Sequence, residues 1–223
     1  MAITLAFDVY GTLIDTAGVT TALERYVGDM APQFSNTWRE KQLEYSFRRG
    51  LMQNYCKFGV CTRNALEYTC KTKGVDLATV DMDSLMSEYR KLPAFADAKE
   101  ALPRLQSAGH SLFAFSNGPA EDVSALLKNA ELEHYFEGVV STDEIQSFKP
   151  NPAVYAHFLR KSGATGAEAW LISGNPFDVI GALSAGMKGA WVKRQEKAVF
   201  DPWEFEPTVT VSALTGLEEV FQG

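Results

Sequence analysis

Four short polar clusters hold the side chains best suited to chemistry: Asp8-Val9-Tyr10-Gly11-Thr12, Ser116-Asn117-Gly118, Lys149-Pro150, and Ser173-Gly174-Asn175-Pro176-Phe177-Asp178. Each follows an apolar stretch. An aspartate that ends a strand is, taken alone, more often a turn former than a nucleophile. The joint placement of the four clusters changes that balance. If the apolar runs before them are parallel strands, all four lie outside the carboxyl ends of one sheet, where open α/β sheets bind ligands. A carboxylate, an ammonium group and several hydroxyl and amide groups would then share one crevice.

Short continuous apolar runs at residues 3–7, 111–115, 138–141, 169–173 and 189–192 would carry these clusters. Runs of this kind suit strands buried on both faces of a parallel sheet. A sixth, 208–211, reads as an edge strand. Between them the pattern is helical: Val123, Leu126, Leu127 and Ala130 recur at i, i+3, i+4 and i+7, and Asn151-Pro152 reads as an N-cap with proline at the first helical position. Strand and helix thus alternate from about residue 96, which predicts a doubly wound α/β core. Pro103 predicts a bend or a late helix start.

Residues 15–95 carry no strand-like run. Their apolar stripes are helical: Leu23, Tyr26, Val27 and Met30; Leu43, Phe47 and Leu51; Leu85 and Tyr89. This predicts a helical insertion at 15–95 and a discontinuous core of 1–14 and 96–223. Arg39 lies four residues before Leu43 and eight before Phe47, so a helix puts its guanidinium on their face. For an isolated arginine the ordinary readings are a solvated surface group or one snorkelling from a core edge.

The 21 Lys and Arg against 28 Asp and Glu give a net charge of −7, which lacks the basic field that nucleic-acid binding requires. A local cationic pocket for a small anion is still compatible with that charge. Cys56, Cys61 and Cys70 are odd in number, with no histidine at zinc-ligand spacing, and read as reduced structural thiols. No run approaches the about 18 to 20 apolar residues of a membrane span, and no leader pattern precedes the first strand, so a soluble cytoplasmic protein without membrane partners is expected. No phosphate-binding glycine loop occurs. His110, His134 and His157 fall outside all four clusters, and Trp38, Trp170, Trp191 and Trp203 read as packing anchors.

In order and position the four clusters match the motifs of the haloacid dehalogenase superfamily, which the chain resembles over nearly its whole length. The resemblance implies a Rossmann-like core with residues 15–95 as its cap domain. Most members are magnesium-dependent phosphatases, with a second aspartate two positions after the nucleophile and further acids in the last motif. Here Tyr10 occupies that position, and the last motif offers Asn175 with the single acid Asp178. A hard dication prefers more anionic oxygens, so no metal and no cofactor is expected. Halide is a weak enough base to leave unprotonated, and its displacement needs neither metal nor general acid.

The sequence is accordingly similar to the L-2-haloacid dehalogenase branch, whose substrates are small 2-haloalkanoic acids. The similarity implies that Asp8 attacks C2 and forms an ester, with Lys149 beside it. Thr12, Ser173 and Asn175 would fix the carboxylate and stabilise the later oxyanion, Asp178 would activate water, and Tyr155 would orient the charged network. Ser116 and the amides of Val9 and Tyr10 would hold the substrate carboxylate. Arg39, Asn117 and Phe177 would grip the departing halide ion, while Tyr10, Leu43 and Phe58 line an apolar pocket. A homodimer is also implied. Two other readings are a phosphatase of the same fold with a degraded metal site and a noncatalytic binding module.

Overall fold

All five apolar runs form strands, and so does the sixth. The computed structural model describes residues 2–221 and contains β1 (Thr4–Asp8), β2 (Ser111–Ser116), β3 (Gly138–Ser141), β4 (Ala169–Ser173), β5 (Lys188–Val192) and β6 (Val209–Val211). They form one parallel sheet in the order β3-β2-β1-β4-β5-β6. The chain winds outward from β1 in both directions, so β1 lies at the switch point where the strand order reverses. Crevices form at the carboxyl end of such a point.

Side chains alternate across the sheet with the two-residue period of a strand. Leu5, Phe7, Leu112, Ala114, Trp170 and Ile172 share one buried cluster with α5 (Ala96–Ser107) and α6 (Ala120–Asn129). Ala6, Phe115, Ala169 and Leu171 face the other side, against α7 (Pro152–Ser162) and α8 (Pro176–Ser184). Helices therefore cover both faces, which explains why these strands are apolar throughout. The N-cap expected at Asn151 is formed, its Oδ1 accepting from the Ala153 amide at 2.9 Å.

Between β1 and α5 lie four helices: α1 (Ala17–Val27), α2 (Ala31–Leu51), α3 (Phe58–Lys73) and α4 (Thr79–Glu88). α2 packs on α1 and α3, and α4 packs on α1 and α3. Leu23, Val27 and Leu85 are buried as their stripes predict. Met30 and Leu51 are not. Met30 falls in a tight turn between α1 and α2 where the 3.6-residue period breaks, and Leu51 ends α2 one turn beyond its last packed ring.

Two further expectations need correction. The late helix start allowed at Pro103 does not occur: α5 begins at Ala96 and continues through Pro103, because the carbonyl left without a partner belongs to exposed Lys99, where water can satisfy it. Trp203 is 64% exposed in an irregular segment before β6 and anchors no packing. Among the described residues no helix is long and apolar enough to cross a membrane.

Candidate active site

Asp8 ends β1, and each of its carboxylate oxygens has a distinct environment. Oδ2 accepts three hydrogen bonds: Thr12 Oγ1 at 2.8 Å, Asn175 Nδ2 at 2.8 Å and Ser173 Oγ at 3.3 Å. Oδ1 accepts one, from Lys149 Nζ at 3.2 Å. Lone pairs on Oδ1 remain available; those on Oδ2 are committed.

The donors around Oδ2 are themselves held. Gly174 donates its amide to Thr12 Oγ1 at 2.8 Å, and Asn175 donates its own to Ser173 Oγ at 3.1 Å. This requires the β4–α8 loop to lie against the loop after β1. A Cβ on Gly174 would stand 2.5 Å from the Gly11 carbonyl oxygen, so only glycine fits.

Lys149 is 2% exposed. Its ammonium uses all three donors, on Asp8 Oδ1, on Asp178 Oδ2 at 2.8 Å and on the Phe115 carbonyl at 2.8 Å. Two carboxylates thus flank one cation, which offsets their desolvation. Asp178 is wholly buried, and Tyr155 donates to its Oδ1 at 2.8 Å. Burial raises the Asp178 pKa to about 6; Lys149 opposes that rise and the nearby Asp8 charge adds to it. Burial and Asp178 likewise push the Tyr155 phenol well above its ordinary range. The close approach of Tyr155 to α8 depends on Gly181, where a Cβ would lie 2.3 Å from the phenol oxygen.

The other clusters surround this centre. Ser116 is buried, its Oγ accepting from the Gly118 amide at 3.1 Å. Asn117 Oδ1 accepts from the Lys149 amide at 2.9 Å and from Thr142 Oγ1 at 3.2 Å, which commits its carbonyl and leaves its amino group as donor. Val9 is fully buried, and its carbonyl closes the turn after β1 by accepting from the amides of Thr12, Leu13 and Ile14.

A cavity of about 710 Å³ lies between α1–α4 and this end of the sheet, lined among others by Tyr10, Arg39, Gln42, Phe58 and Tyr89. The face of α2 expected to carry Arg39 does turn toward the core. Arg39 donates to Asn175 Oδ1 at 3.4 Å, and Phe47, two turns later, packs edge-on against Phe177 with ring centroids 5.1 Å apart. Leu43, between them, is half-buried and does not line the cavity. Tyr10 packs edge-on against Tyr89; burial, then the Asp122 charge, raises its pKa and keeps the phenol protonated. Phe58 is buried against Phe148, the residue before Lys149.

Several residues of the site were not singled out from the sequence. Gln42 and Thr62 contact the Arg39 side of the cavity, and Trp191, expected only to pack, also lines it. The histidines stand elsewhere: His110 beside Phe221, His134 beside Tyr135 and His157 beside Glu144. Among the described residues no group of three or more His, Cys, Asp or Glu side chains is placed to hold a metal ion.

The family model for haloacid dehalogenase-like hydrolases matches residues 4–186. The chain is 35% identical to a haloacetate dehalogenase of Moraxella sp. over 96% of its own length and 95% of that protein. It is 37% identical to an (S)-2-haloacid dehalogenase of Xanthobacter autotrophicus, over 85% of this chain and 74% of that one. A solved L-2-haloacid dehalogenase from Xanthobacter autotrophicus with chloropropionic acid covalently bound superposes with a TM-score of 0.91, at 32% identity, covering 100% of this chain and 99% of the other.

Proposed function

The chain belongs to the haloacid dehalogenase-like hydrolase family, and on that premise we propose that it hydrolyses (S)-2-haloacids to (R)-2-hydroxyacids and halide through a covalent ester on Asp8. The observation that carries this reading is the asymmetry of the Asp8 carboxylate. Oδ1 is free to attack C2; the carbon–halogen bond breaks, its electron pair leaves with the halide, and the configuration inverts. Oδ2 becomes the ester carbonyl, already held by Thr12, Ser173 and Asn175. The covalent chloropropionic acid adduct of the similar structure supports the same step.

Water then attacks the Asp8 carbonyl carbon, and the three donors at Oδ2 stabilise the developing oxyanion. Asp178 takes the proton of that water. Lys149 touches both Asp178 and Oδ1, so it passes a proton to the departing product oxygen and recovers one from Asp178. Tyr155 holds Asp178 in place. Ser116 with the amides of Val9 and Tyr10 binds the substrate carboxylate; Arg39, Asn117 and Phe177 receive the halide; Tyr10 and Phe58 bound the alkyl group. Residues 15–95 serve as the cap that closes the crevice.

The phosphatase reading fits the residues less well. A magnesium ion needs anionic oxygen ligands, whereas Tyr10 stays a neutral phenol. Asn175 turns its amino group toward Asp8 and its carbonyl toward Arg39. The Lys149 ammonium already bridges the two carboxylates. No step here runs through a metal. We infer further that the protein is cytoplasmic and a homodimer; exposed Leu51 and Met52 offer apolar surface for a second copy to cover, and a solution mass measurement tests it.

One turnover in oxygen-18 water, with enzyme in excess over L-2-chloropropionate and EDTA present, tests the mechanism. Label is expected in the Asp8 peptide. Label in the hydroxy acid alone would mean direct attack by water and overturn the ester. Replacing Arg39 by alanine is expected to lower kcat by about 10²-fold, as loss of a transition-state donor does, while Arg48→Ala changes it less than about twofold. Arg48 is exposed and, among the described residues, pairs only with Glu44. Equal, small effects of the two substitutions would remove Arg39 from the halide site.

A further inference from the structure

We infer that Gln42 is the positioning residue for Arg39, and that Gln42 and Thr62 form a buried relay fixing the guanidinium to the first turn of α3. The inference rests on the reading of Arg39 as the halide-binding group. Gln42 is 1% exposed and lies on α2, three residues after Arg39. A glutamine amide buried in a helical layer is costly unless both ends are satisfied. Both are. Oε1 accepts from Arg39 NH1 at 2.7 Å, and Nε2 donates to Thr62 Oγ1 at 2.6 Å.

Thr62 in turn donates to the Phe58 carbonyl at 3.0 Å, while its own carbonyl accepts from Trp38 Nε1 at 2.8 Å. Thr62 is therefore fixed before Gln42 reaches it. The order of donors fixes the amide as well: with Thr62 Oγ1 spending its proton on Phe58, it can only accept from Gln42, so Nε2 faces Thr62 and Oε1 faces Arg39. The arginine side chain has many rotamers, and a rigid acceptor removes much of that freedom before substrate arrives. Its other hydrogen bond, to Asn175 at 3.4 Å, is long. Gln42 is the stronger of the two restraints, and it ties the halide contact to the helix turn that supplies Phe58 to the cavity.

The test measures single-turnover rates for Gln42→Met, Thr62→Val, Arg39→Ala and the two doubles containing Arg39→Ala, with 2-chloro- and 2-bromopropionate. Methionine is close to glutamine in volume and valine to threonine in shape, so each variant removes hydrogen bonds with little change in size. Gln42→Met is expected to slow the halide-releasing step by roughly tenfold with KM changed far less, and by unequal factors for the two halides. In the Arg39→Ala background it should cost nothing further. Thr62→Val should show the same pattern more weakly, and it decides the question if Gln42→Met does not fold. An Arg39→Ala loss with both single variants at the wild-type rate overturns the relay alone. Losses that multiply with that of Arg39→Ala, or that are equal for both halides, also overturn it, because a general packing defect has those signatures. Arg39→Ala at the wild-type rate overturns the reading of Arg39 and the relay with it.

Discussion

Asp8→Asn is expected to lower dehalogenation by roughly 10⁴-fold or more, the scale seen when a covalent nucleophile is removed, while leaving the fold intact. Asparagine is isosteric. Its carbonyl can take the place of Oδ2 and accept from Thr12, Ser173 and Asn175, which puts its amino group where Oδ1 faced Lys149. An amide oxygen in the triply bonded position cannot attack, and a neutral NH2 in the other has no usable lone pair. Lys149 keeps Asp178 and the Phe115 carbonyl as partners. One repulsive neighbour of Asp178 is removed as well, so the Asp178 pKa should fall in this variant. Halide release measured over hours, with a thermal melt to confirm folding, checks the prediction. A rate within tenfold of wild type would show that another group, or water itself, attacks C2.

The parts of this site that could be read from sequence are those that local pattern determines. Strands buried on both faces leave continuous apolar runs, so the places of Asp8, Ser116, Ser173 and Asp178 after β1, β2 and β4 follow from the runs before them. The helical period put Arg39 on the face of Phe47, whose ring does meet Phe177, but its place in the site came through the resemblance. Lys149 was legible as the cluster after the third run, but its place beside Asp8 came only through the resemblance, since the strand before it ends eight residues earlier.

Other parts depend on contacts that no local pattern encodes. Gln42 reads as an ordinary polar residue on a long helix; its burial follows from α3 packing over it. Gly174 and Gly181 carry no local signal either, because the atoms that forbid a side chain there belong to Gly11 and Tyr155. The pocket assignment of Leu43 came from resemblance, and half a turn of helix separates lining a cavity from flanking it. Leu51 shows the converse: periodicity predicts a face but not where the partner surface ends.

Asp178→Asn should separate the two halves of the reaction. Asp8 and its free Oδ1 are untouched, so one equivalent of halide is expected per active site, followed by a stop as the ester accumulates. Asparagine keeps an oxygen for the Tyr155 hydroxyl, yet it cannot take a proton from water, and the charge that completes the Lys149 relay is gone. Removal of a general base typically costs about 10²- to 10⁴-fold, here in ester hydrolysis alone. Quenched mass spectrometry should find substrate-derived mass on the Asp8 peptide. In the wild type the same group sets the pH profile. A pKa raised to about 6 by burial leaves Asp178 ionised above that pH and protonated below it, so kcat should fall about tenfold per unit of pH on the acid side. The halide burst should lack this limb, since it needs the Asp8 carboxylate and not a base. Steady turnover by Asp178→Asn at a rate near wild type, or the absence of any burst, would place the hydrolytic base elsewhere in the crevice.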